Sequence, residues 1–150
     1  MKPADATLTY DLYIAAPAER VWGALTDPAV TEQYFYGTRV ESSFLAGAPI
    51  AYAAGDVRMV DGEVVAVEAG RKLVLSQRSL WDPGVAADAA SQVSWELTPL
   101  GVATKLSLVH AGFAGETETF RQSAAGWPVV LSGLKTFLET GRPLTLPAQG

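Results

Sequence analysis

Between Thr38 and Gly112 apolar and polar residues alternate with a period of two, and this long run is what most limits the folds open to the chain. Turn chemistry interrupts it at Gly47 to Pro49, Gly55-Asp56, Gly70, Asp82-Pro83-Gly84 and Pro99 to Gly101. Six strands result, near 38–44, 49–54, 58–68, 72–79, 91–98 and 102–111. Connections this short suit hairpins, so the sheet is expected to be antiparallel. Asp61-Gly62, inside the 58–68 strand, is expected to mark a bulge or bend. The stretch "DPGVAADAAS", 82–91, reads as the one flexible loop.

The flanks supply the remaining elements. Residues 7–14, "TLTYDLYI", place Leu8, Tyr10, Leu12 and Ile14 on one face, as a half-buried strand requires. In "PAERVWGALTDP" the proline suits a first helical turn and Val21, Trp22 and Leu25 form an apolar stripe. Asp27 then caps a second, short helix that starts at Pro28 and runs to about Phe35. At the other end Phe120, Ala124, Trp127, Leu131, Leu134 and Leu138 follow spacings of 4, 3, 4, 3 and 4, one stripe of a long helix that Gly141 ends. Pro128 removes the amide that would bond the Ala124 carbonyl, so the helix is expected to kink there or to restart with Pro128 as its first residue. The order β-α-α-β-β-β-β-β-β-α defines an α+β domain, with a curved seven-stranded antiparallel sheet against one long helix, taken as a single domain over 1–150.

Composition removes several function classes. The formal net charge of 150 residues is −5 and no cluster of Lys and Arg stands out, which argues against nucleic acid as a partner. The absence of cysteine excludes disulfides and thiolate chemistry and fits a cytoplasmic location. Asp5 and Asp11 interrupt any signal-peptide core, and "FLAGAPIAYAAG" is too short and too broken to span a membrane. One histidine without cysteine leaves no common zinc set, and Asp56, Asp61 and Glu63 lie around a turn where solvated acids are ordinary, so no metal is expected. No phosphate loop, nucleophile elbow or HExxH pattern is present, and no cofactor is implied.

Four stretches, "IAAPAERVWGALTDPAV" (14–30), "DGEVVAVEAGRKLVLS" (61–76), "VSWELTPLGVATKLSLVHAGF" (93–113) and "GWPVVLSGLKTFLETG" (126–141), resemble the heat-shock protein 90 ATPase activator homologue-like family. That family has the helix-grip architecture of the START and birch-pollen-allergen superfamily, also called SRPBCC. The resemblance implies a sheet wrapped around the last helix with an apolar cavity between them. The superfamily includes lipid carriers, hormone receptors and cyclases, so its fold does not choose an activity. The eukaryotic co-chaperones carry a further N-terminal domain, whereas six residues precede the first expected strand here.

Candidate residues are mostly aromatic. Alternation puts Tyr52 with Ile50, and Trp95 with Val93 and Leu97, on the inner face of the sheet, opposite Trp127 on the helix. His110 shares a strand face with Val102, Leu106 and Leu108, and reads as a structural histidine first and as a ligand-orienting group or base second. Tyr52, Trp95, His110 and Trp127 are therefore the expected ligand-lining set. Tyr34, Phe35 and Tyr36 are expected at the cavity mouth, because three consecutive aromatics cannot all be buried. The leading expectation is a cofactor-free, non-enzymatic protein that binds a small apolar or aromatic molecule in a pocket of about 300 to 1,000 Å³. A protein-binding module that regulates a chaperone ATPase and a cyclase- or hydrolase-type enzyme with His110 as base are the alternatives. A homodimer is left open.

Overall fold

The computed structural model describes residues 6–146. The alternating N-terminal segment forms β1 (Ala6–Ile14), and helices α1 (Ala18–Thr26) and α2 (Pro28–Tyr34) follow. Asp27 caps α2 by accepting the Ala29 amide at 2.9 Å, with Pro28 in its first turn. The period-two region gives β2 (Arg39–Glu41), β3 (Pro49–Ala54), β4 (Val57–Glu68), β5 (Lys72–Ser79), β6 (Ser91–Leu100) and β7 (Ala103–Phe113). A one-turn helix α3 (Pro83–Ala86) lies between β5 and β6, and α4 (Glu118–Thr140) closes the fold. All neighbouring strands are antiparallel, in one seven-stranded sheet of order β1-β7-β6-β5-β4-β3-β2. The core lies between this sheet and α4, from Ile14 and Val21 at one end to Val40 and Ile50 at the other.

Four details differ from the sequence reading. Gly62 is not a bulge: it pairs in register with Ile50 and Gln77, and the irregularities fall at Tyr52/Ala53 and Val64/Ala66. Its role is close approach, because a Cβ on Gly62 would stand 1.8 Å from the Ser76 carbonyl oxygen. Val102 is 86% exposed, since β7 begins one residue later and Val102 belongs to the preceding turn; Thr104 takes the inward place expected of it. The 82–91 segment is pinned rather than loose. Asp82 caps α3 through the Val85 amide at 3.1 Å, and Asp88 accepts the Thr119 amide at 3.0 Å.

The fourth difference concerns α4, which runs through Pro128 without restarting. The proline ring sits on the exposed face, so it meets solvent rather than the sheet. The Ala124 carbonyl, deprived of its helical donor, lies 3.5 Å from the Tyr10 hydroxyl, which donates to it. Toward the start of the helix the buried row is Thr119 and Ser123, with Phe120 and Ala124 only half-buried. At its end Gly141 adopts φ 76°, with its amide on the Phe137 carbonyl at 2.8 Å, and Arg20 donates to the Leu138 carbonyl at 3.1 Å. Lys135 donates to the Tyr13 carbonyl at 2.7 Å and Glu139 accepts the Ala15 amide at 2.7 Å, so the last turns of α4 cover the end of β1.

Gly62→Ala is expected to lower stability by about 3 kcal/mol, because backbone must move to admit the methyl group. Gly23→Ala, where nothing lies within 4 Å of the added atom, is expected to raise it by about 0.5 to 1 kcal/mol. Urea midpoints at constant slope check both.

Candidate functional site

The site is built around Trp127. Its ring meets Trp95 edge-on at 5.6 Å between centroids, His110 at 5.8 Å and Phe35 at 5.9 Å. Phe35 in turn stacks on Tyr52 at 4.5 Å. The indole N–H of Trp127 donates to His110 Nδ1 at 3.0 Å. An indole nitrogen is a donor only, so Nδ1 must carry a lone pair and Nε2 the proton of a neutral ring. His110 Nε2 therefore donates to Ser91 Oγ at 2.6 Å, and Ser91 donates onward to the Gln77 carbonyl at 3.5 Å. Burial pushes the imidazole pKa down to about 4, well below its ordinary value. Both ring nitrogens are committed to neutral partners, and Phe113 covers the ring at 4.2 Å.

In front of this cluster a cleft of about 460 Å³ opens between the first half of α4 and strands β4 and β5. Phe35, Trp127, Val130, Met59 and Val60 supply most of its apolar wall. Tyr36 and Trp81 stand at its sides, and Gly126 leaves room in its floor. Tyr36 is 59% exposed with φ 52°, a left-handed conformation that a bulky side chain seldom takes. Thr31 holds that turn in place, donating to the Thr38 carbonyl at 3.0 Å and accepting the Val40 amide at 3.0 Å. The Tyr36 hydroxyl reaches across the cleft to the Gly126 carbonyl at 3.4 Å.

At its α3 end the cleft is laced by polar groups. Trp81 Nε1 donates to Gln122 Oε1 at 2.5 Å, and Gln122 Nε2 donates to Asp82 at 3.0 Å and to Glu118 at 2.8 Å. The Gln122 bonds hold both carboxyls below their usual range, and the Thr119 hydroxyl and amide do the same for Asp88. Among the described residues no group of three or more metal-ligating side chains forms.

Of the four expected lining residues, Trp127 borders the cleft, while Tyr52, Trp95 and His110 stand behind it, covered by the Phe35 and Trp127 rings. Of the expected mouth residues, Phe35 and Tyr36 border the cleft. Tyr34 does not. It is buried beneath α1, donates to the Ala24 carbonyl at 2.7 Å, and packs against Gly133 of α4. Sequence reasoning missed Gln77 and Ser123, both 6% exposed and both on the cleft wall. The signal for Gln77 was present: it continues the inward row of Leu73 and Leu75, where a polar residue needs a reason.

One open antiparallel sheet gripping a single long C-terminal helix, with a cleft between them, defines a helix-grip protein. The model of the activator of Hsp90 ATPase homolog 1-like proteins matches residues 15–139, and the chain belongs to that family. Among solved structures it is similar to MLL2253 from Mesorhizobium loti, at 27% identity and a TM-score of 0.75, over 88% of this chain and 96% of that one. DynU16, a protein of the dynemicin biosynthetic locus, is 29% identical with a TM-score of 0.77 over 93% of this chain, which spans 49% of DynU16. PFC0360w, an HSP90 activator from Plasmodium falciparum, shares the fold at 20% identity and a TM-score of 0.72, over 89% of this chain and 96% of that one. No curated protein matches in sequence. Among the described residues no helix is long and apolar enough to cross a membrane.

The depressed pKa of His110 has a signed consequence. Above pH 6.5 the ring is neutral folded or unfolded; between about 6.5 and 4 only the unfolded chain takes the proton, so stability falls as pH falls, by about 1.4 kcal/mol per pH unit. His110→Gln is expected to flatten that window, while the losses at Asp82, Asp88 and Glu118, whose values lie below the usual carboxylate range, persist at lower pH. Denaturant titrations from pH 7 down to about pH 3 on both proteins check it.

Proposed function

We propose that the protein binds a small, uncharged apolar or aromatic molecule in the cleft between α4 and strands β4 and β5. The observation that carries this reading is the cleft itself: about 460 Å³, walled by Phe35, Met59, Val60, Trp81, Trp127 and Val130, with no charged side chain on its lining. That size and character suit a drug-sized ligand. A catalytic role for His110 is disfavoured, because its ring bonds Trp127 and Ser91 rather than a carboxylate and stands behind the cleft wall. Binding without a cofactor, in the cytoplasm, is the form this function takes.

Family membership favours one second reading, regulation of a heat-shock protein 90-type chaperone ATPase. An unchanged ATPase rate on addition of the purified protein would remove it.

The ligand reading is tested with the neutral dye N-phenyl-1-naphthylamine. Saturable uptake with energy transfer from tryptophan is expected. Trp81→Phe and Trp127→Phe, on the wall, should each reduce the transfer more than Trp22→Phe on α1. Gly126→Phe, whose Cβ already meets the Tyr36 hydroxyl at 3.4 Å, should fill the cleft and abolish uptake in a protein that still unfolds cooperatively. Uptake unaltered in that variant would sink the reading.

A further inference from the structure

The cleft has two polar groups that the protein itself does not use. Gln77 points inward from β5 and is 6% exposed, yet its side-chain amide has no hydrogen-bond partner among the described residues. Its backbone carbonyl, by contrast, takes the Ser91 hydroxyl. Ser123, across the cleft on α4 and also 6% exposed, has a hydroxyl with no such partner either. Every other polar side chain on the lining is engaged. The Trp81 indole bonds Gln122, the Gln122 amide bonds Asp82 and Glu118, the Tyr36 hydroxyl bonds Gly126, and the Thr38 hydroxyl bonds Phe35 at 2.6 Å. Unlike the sealed Ser79 hydroxyl, these two groups keep their polar atoms open to the cleft, so a molecule that enters and displaces water from them must replace its hydrogen bonds. Ser79, next on the same row of β5, also has an unpartnered hydroxyl, but it is sealed from the cleft and can serve no ligand.

The backbone that presents Gln77 is held firmly. Gln77 pairs with Gly62 on β4, and a Cβ on Gly62 would come within 3.3 Å of the Gln77 Cα. The missing side chain lets the two strands approach closely at the residue whose amide faces the cleft. The strand is thereby set in place at this point, and the Gln77 side chain carries a donor and an acceptor into the cleft from it.

Resting on the ligand-binding reading above, the geometry points to Gln77 and Ser123 as a polar anchor for a neutral ligand edge that both donates and accepts, of the carboxamide or lactam kind, on an apolar ring system. The primary amide of Gln77 offers an N–H beside a C=O, which matches such an edge in two antiparallel hydrogen bonds. A ketone satisfies only the donor. A carboxylate would enter a lining that has no cation to meet it and would be bound worst.

Three probes of one shape test this by isothermal titration calorimetry at pH 7: 1-naphthamide, 1-acetylnaphthalene and 1-naphthoate, with 1-methylnaphthalene as the apolar reference. The amide is expected to bind about tenfold tighter than the ketone, in line with one recovered hydrogen bond, and the carboxylate weakest. The Gln77 side-chain NH₂ resonances should shift with the amide and not with the hydrocarbon. Gln77→Leu should erase the preference for the amide over the ketone, while 1-methylnaphthalene still binds. If that variant does not fold, Gln77→Met removes the same amide with an unbranched chain. Hydrocarbon binding with no amide preference, or a preference that survives at Gln77→Leu or Met, would overturn the anchor and leave the ligand reading standing. Failure of all four probes to bind would overturn both.

Discussion

The bond from the Trp127 indole to His110 ties the one long helix to the sheet, and much of the interior is arranged around it. Because the indole can only donate, the imidazole must accept, and the remaining proton has one direction to go. A polar row results, from α4 through β7 and β6 to the backbone of β5, threaded among the apolar side chains of the core. Such rows stabilise when complete and cost heavily when one member is lost. Trp127 thus has two duties. Its indole N–H anchors the helix and its side chain borders the cleft, so a change that disturbs the histidine disturbs the wall as well.

Close backbone approaches set the dimensions of the rest. Gly133 lets α4 lie against Tyr34 of α2, with only 3.3 Å between an added Cβ and the tyrosine Cβ. This brings the turn after α2 near the helix and delivers Phe35 and Tyr36 to the cleft. Gly62 does the same between β4 and β5. At the opposite end the α3 turn is laced to α4 through Asp82, Asp88, Thr119 and Gln122, which keeps the helix start from closing onto the sheet. The open space is therefore a product of where the chain is held, rather than of a deficit of side chains to fill it.

The period-two run and the terminal stripe made the sheet, its direction and the long helix legible in the sequence. They told which residues point inward. They could not tell which inward residues meet one another, and that is why Tyr52, Trp95 and His110 stand behind the cleft while Phe35 and Trp127 border it: the decision rests on ring packing between segments far apart in the chain. Tyr34 illustrates the same limit, since its burial depends on a glycine in another helix. Gln77 was legible as an inward polar residue, but nothing local marked it as uncommitted. That α4 runs on through Pro128 rather than restarting was hidden for a different reason. Local propensity against Pro128 is strong, yet its ring faces solvent and the Tyr10 hydroxyl takes up the stranded carbonyl, and neither could be seen from the segment alone.

An open sheet has two borders that a foreign strand can join, and this chain guards them unequally. β2 is three residues long and offers little to a newcomer. β1 is nine residues long, and its last part is guarded by Lys135 and Glu139, which occupy the Tyr13 carbonyl and the Ala15 amide. Fraying of the final turns of α4 would thus free main-chain groups at a sheet border. Self-association into intermolecular β-structure, rather than simple loosening, is the hazard that those two side chains restrain.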